Sequence, residues 1–254
     1  MKPSSMSDAE WQVRLDVAAC YRLLAHYRMT DLIYTHVSGR IPGEEEAILI
    51  NPYGLMFHEI RASDLVRVDL RGNPVTEINA PINRAGFFIH SAVHEARPDI
   101  ACVIHTHTTA GIAVAAQQAG LRMISQHALR FHGRLSYHEY LGVADDDAER
   151  RRLAHDLGDN LSMLLRNHGI LGCGRSVAEA FIETHYLERA CQVQVAALAG
   201  GTPLSVLSDA VSATTAQQFD TARDRRKTQD GRTFTLEWTA LLRMLDQIDS
   251  SWRE

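Results

Sequence analysis

ACVIHTHTTAG, residues 101–111, decides how the chain is read. The apolar run Ala101 to Ile104 reads as a buried strand, and it ends in His105-Thr106-His107 before the chain turns small and polar. Strand residues i and i+2 project to the same face. His105 and His107 therefore stand together at a strand end, which suits two imidazoles sharing one ion. LSMLLRNHGILGCG, residues 161–174, reads as two strands broken at Asn167-His168-Gly169, so His168 has the same context. Three histidines with an open position describe a catalytic metal site, and imidazole does not choose among Zn, Mn, Co and Fe. A histidine at a strand end is also commonly a hydrogen-bonded structural residue, and 13 histidines invite coincidence. The spacing alone leaves both readings open.

Outward from this core, Ser7-Asp8-Ala9-Glu10 is a capping-box pattern that predicts a helix to about His26. DLIYTHVSGR reads as a strand and turn, EEAILIN as a short strand, and DLVRVDL as an alternating strand. INRAGFFIHSAVHEARPD has helical period and stops at Pro98, and TTAGIAVAAQQ reads as a helix of small residues. RLSYHEYLGV looks extended and DDDAERRRLAHDLGD helical. A long helix capped by Ser176 closes at Gly200-Gly201. The tail predicts helices at about 209–226 and around LEWTALLRMLDQID. Strands and helices interleave without regular βαβ alternation. The expectation is one three-layer α/β/α domain over residues 1–254 with a mixed, mostly antiparallel sheet. Its helical tail, about 205–254, packs on it or on a neighbouring subunit.

Composition narrows the function classes. A net charge of -5 lacks the basic footprint of a nucleic-acid binder. No uncharged apolar run reaches a bilayer's thickness, and the N-terminus has no signal-peptide core. The four cysteines (Cys20, Cys102, Cys173, Cys191) form no CxxC pair and sit in apolar settings, which points to reduced thiols and a cytoplasmic protein.

RPDIACVIHTHTTAG, LLRNHGILGCGRSVAEAF and LERACQVQVAALAGG resemble the class II aldolase/adducin family, from about Trp11 to Gly201, and EWTALLRMLD resembles its adducin-like branch. The resemblance implies an α/β/α fold, commonly a homotetramer, and one divalent metal per subunit on His105, His107 and His168. The chain departs from the family's sugar-phosphate aldolases at informative places. Their acid/base glutamate, eleven residues before the RPD motif, falls on Gly86. Two small hydroxyl residues before it fall on Arg84 and Ala85, and an asparagine of the phosphate site falls on His36 in THVS. A sugar-phosphate aldolase is therefore not expected. Arg84 is a fork donor suited to a carboxylate, or else a surface arginine.

His36, His90 and His138 are the candidates for proton transfer, since imidazole titrates near neutrality. Asn51 and Gly54 in the INPYGLMF loop, with Arg84 and His127, are candidates for substrate binding. Each of these also has a plain structural reading. The resulting expectation is a metal-dependent carbon–carbon lyase, a decarboxylase or aldolase, acting on a hydroxy- or oxo-carboxylate, aromatic ones included, through a metal-stabilised enolate. Two alternatives stay open: a non-haem iron oxygenase on the same three histidines, and a non-catalytic binding protein like the adducin head.

Overall fold

A computed structural model gives the fold and describes residues 2–4, 6–44, 46–75, 80–142, 146–225, 227–228 and 233–254. Helix α1 (Asp8–His26) starts where Ser7 Oγ accepts the Glu10 N–H at 3.1 Å, a cap worth about 1 kcal/mol. Among the described residues, seven strands form one sheet: β1 (His36–Arg40), β2 (Ala47–Ile50), β3 (Val66–Asp69), β4 (Cys102–Thr106), β5 (Leu135–His138), β6 (Ser162–Leu165) and β7 (Gly169–Gly174). Their order is β3-β2-β1-β4-β7-β6-β5, and only the β5–β6 pair is parallel. The mixed, mostly antiparallel α/β sheet is as the sequence predicts.

Pleating sorts the strand residues between two helical layers. Cys102 and Ile104 of β4 join a core with α1 and the long α6 (Val177–Ala199). Val103 joins Leu171 and Cys173 in the opposite core, under α2 (Arg84–Ala96) and α5 (Asp147–Leu157). His105 shares the parity of Val103, so it faces the α2 side. The RPD motif staples this layer: Arg97 makes two 2.8 Å hydrogen bonds to Asp99 and reaches the Gly158 carbonyl at 2.5 Å. The four cysteines are buried and unpaired.

Several elements differ from expectation. Residues 31–35 form turns, not strand, because Leu32 and Thr35 take φ of 49° and 69° and Asp31 bridges to Tyr34. Helix α3 (Thr109–Ala115) is cut short by a turn at Gln117 to Gly120, where Gly120 has φ 61°. Only Leu135–His138 of the extended segment pairs with a neighbour, because β5 lies at the sheet edge; Val143 falls outside the described residues. The four-residue α4 (Gln126–Leu129) is too short to show a period in sequence. In the tail, α7 (Asp209–Arg225) lies against α4, and α8 (Thr235–Ile248) lies on α1, where Trp238 Nε1 donates to Asp16 at 3.0 Å. Among the described residues, no helix is long and apolar enough to cross a membrane.

Candidate metal centre

Three separate backbone devices bring the histidines together. His105 is the penultimate residue of β4, and its Nδ1–H donates to the Ile170 carbonyl on β7 at 2.9 Å. His107 leaves the strand one residue before Thr108 caps α3, and its Nδ1–H donates to Asp31 Oδ2 at 2.9 Å. His168 sits in the β6–β7 turn. Asn167 takes a left-handed φ of 58°, which asparagine tolerates, and a Cβ on Gly169 would collide with the Thr106 carbonyl oxygen. The Asn-His-Gly triplet is thus a tight turn that aims one imidazole at the end of β4.

The result is a cluster of Nε2 atoms. His107 Nε2 lies 2.9 Å from His105 Nε2 and 3.0 Å from His168 Nε2, and the three ligand atoms lie within 4.8 Å of one another. With both Nδ1–H groups given to Ile170 and Asp31, the Nε2 atoms of His105 and His107 are lone pairs pointed at each other. Such an arrangement calls for a cation between them. The buried backbone carbonyl and the carboxylate are the outer partners that fix a ligating imidazole's tautomer and orientation. Burial and the neighbouring imidazoles push His105 well below its usual titration range, and burial with His107 and His138 brings His168 down to about 4. Neutral imidazoles are the ligand form. The three-histidine group can hold one metal ion, and its donors do not select which.

The remaining predicted residues scatter. His36, on β1, is the ladder partner of His105, and its buried ring packs where a side chain on Gly86 would stand. A Cβ on Gly86 would overlap Cε1 and Nδ1 of that ring and lie 2.6 Å from Nε2. The two departures from the aldolase pattern therefore fill one space. His90 is fully buried, with Nδ1 2.7 Å from Ser38 Oγ. Arg84 is exposed at the start of α2, and the side chain of Ala85 lies outside the described residues.

His138 is held at both nitrogens, by Asp156 Oδ2 at 2.7 Å and Glu149 Oε1 at 2.9 Å, across a small cavity of about 20 Å³ from His168. A free proton shuttle would have to break an ion pair. Asn51 is buried with its Oδ1 accepting the Tyr21 hydroxyl at 2.7 Å, and Gly54 is a loop apex with φ 113°. His127 sits with Tyr27, His185 and Glu188 in a separate cleft of about 430 Å³ on α6, not with the ligand cluster.

Sequence reasoning missed Asp31, the Ile170 carbonyl and Tyr140, whose half-exposed ring lies 6.0 Å from that of His168. No local pattern marks them. It also missed His94, whose Nε2 contacts Ser38 Oγ at 2.8 Å.

The buried imidazoles give the metal-free protein a definite acid response. Burial and the Arg40 guanidinium push His94 down to about 3, and burial with His36 and His94 holds His90 well below its usual range. An unfolded chain protonates these groups near 6.5, so it binds more protons than the fold between about pH 6.5 and 3. Stability is then full above pH 6.5 and falls as pH drops. Urea midpoints of chelated protein at pH 7, 6 and 5 are expected to fall with the uptake of more than one proton; a flat profile contradicts this.

An α/β sheet here carries, at one strand end, a cluster of neutral histidines that can hold one metal ion. The family model described as "Class II Aldolase and Adducin N-terminal domain" matches residues 15–195, and the chain belongs to that family. It is 49% identical over 251 residues to a Pseudomonas aeruginosa protein named "Putative aldolase class 2 protein", covering 99% of this chain and 95% of that one. It is 44% identical over 202 residues to alpha-adducin of Rattus norvegicus, which is 78% of this chain and 27% of that longer protein. The crystal structure of an aldolase II superfamily protein from Pseudomonas syringae superposes with a TM-score of 0.90 at 46% identity, covering 98% of both chains.

Proposed function

We propose that the protein is a divalent-metal-dependent carbon–carbon lyase, acting as a decarboxylase on a small hydroxy- or oxo-carboxylate. The observation that carries this is the convergence of three Nε2 lone pairs, two of them locked in tautomer by Ile170 and Asp31. A divalent ion held by His105, His107 and His168 would supply Lewis-acid polarisation of substrate oxygens and a counter-charge for negative charge developing on the substrate.

The chain's own residues favour loss of CO2 over aldol chemistry. Residue 86 is glycine, and the His36 ring fills the space beside it, so no carboxylate base projects from this part of α2. Decarboxylation needs no base to begin, because CO2 departs and leaves its electron pair behind. It then needs one proton. His138 is tied to two carboxylates, and His36 and His90 are buried. The proton arrives from the solvent side of the cluster, where Tyr140 stands half exposed. Arg84, exposed at the first turn of α2, is the fork donor for a second carboxylate on the substrate.

The protein works in the cytoplasm as a homo-oligomer, a tetramer by family resemblance.

The test is a panel of hydroxy- and oxo-carboxylates, aromatic ones included, with Mn, Co, Zn or Fe(II), read by CO2 release. Metal-dependent CO2 from one substrate class is expected. Oxygen uptake with Fe(II) and no anaerobic CO2 would establish the oxygenase reading instead. Inertness to every acid would leave the adducin-like binding role.

A further inference from the structure

Three buried imidazole nitrogens beside the ligand cluster lack a hydrogen-bond partner: Nδ1 and Nε2 of His36, and Nε2 of His90. A buried polar atom left unpaired costs about 1–3 kcal/mol, so a fold keeps one where something else supplies the partner. His36 pairs directly with His105 across the β1–β4 ladder. Directly opposed residues share a face, with Cβ atoms about 4.5–5.5 Å apart. The His36 ring therefore leaves the sheet on the same side, and at the same level, as a ring of the metal cluster.

Ser38 Oγ stands between two rings, 2.8 Å from His94 Nε2 and 2.7 Å from His90 Nδ1. The His36 ring stands edge to face with His90, ring centres 5.7 Å apart, and neither of its nitrogens meets a hydrogen-bond partner there. A neutral imidazole carries one lone pair whichever nitrogen bears the proton, and His36 spends it on no hydrogen bond.

We propose that His36 is a fourth protein ligand of the metal, its ring lone pair unspent on any hydrogen bond in the fold. This rests on the reading of His105, His107 and His168 as ligands. The His36 nitrogens fall outside the set lying within 4.8 Å of one another, so the ring turns inward when the ion binds. It gives up no hydrogen bond in doing so.

Cobalt(II) titration of the metal-free full-length protein, with X-ray absorption at the cobalt edge, counts the imidazoles. Wild type is expected to show four, and His36→Ala three, with cobalt bound at least about tenfold more weakly. Three imidazoles in wild type, a count that needs no variant to fold, overturn the fourth ligand and leave the three-histidine centre standing. Equal cobalt affinity in wild type and His36→Ala overturns it too. No cobalt bound by wild type overturns both readings.

Discussion

His168→Ala is expected to abolish metal binding, from about one ion per chain to under a tenth, while the fold survives. His168 lies in a turn and is partly exposed, so its ring is not a core element, and its backbone N–H keeps the Leu165 carbonyl at 3.0 Å. What is lost is one of three converging Nε2 atoms. In wild type, metal at a hundredfold excess over Kd adds about 2.7 kcal/mol of stability. At roughly 2–4 °C per kcal/mol for a chain of this size, that is a rise in Tm of about 5–10 °C. The variant is expected to show no rise, and to lose at least about 10²-fold in metal-dependent rate, the scale of losing charge stabilisation in the transition state. A variant that retains stoichiometric metal refutes the ligand assignment.

The second large effect is a coupling between Gly86 and His36. Gly86→Ala forces a Cβ into the His36 ring, and overpacking of this kind costs about 1–3 kcal/mol. Position 86 is inside α2, where alanine is otherwise better than glycine by up to about 1 kcal/mol. In a His36→Ala background the clash is gone, so the same Gly86→Ala change is expected to be neutral or stabilising. Urea unfolding of the four metal-free proteins completes the cycle. A coupling of about 1–3 kcal/mol is expected; additivity within about 0.5 kcal/mol means the two positions do not share one space.

What was legible in the sequence followed from local periodicity. Alternation alone places His105 and His107 on one face, and Asn167-His168-Gly169 reads as a break between strands, which the left-handed φ of Asn167 makes a tight turn. The parity of β4 and β7 then fixed the layer that the cluster faces. What was not legible depended on packing between distant segments. Asp31 orients His107 across 76 residues of chain. His138 looked like a free proton carrier because Glu149 and Asp156, which hold it, belong to a helix that packs on β5 only in the fold. His127 looked close to the site, but the short α4 turns it toward α6. Gly86 and His36 were legible as two departures from a family pattern, and only the fold shows that one ring fills the place beside the other residue.

The central claim is that His105, His107 and His168 hold a divalent ion on which the reaction depends. The most direct measurement is elemental analysis of the purified wild-type protein, before and after chelation, with Tm followed in parallel. About one divalent ion per chain is expected, with a fall in Tm when it is stripped and recovery of both on adding metal back. Protein that purifies without metal, takes none up, and melts at the same temperature with and without chelator would contradict it, and would place this chain with the adducin heads as a binding fold.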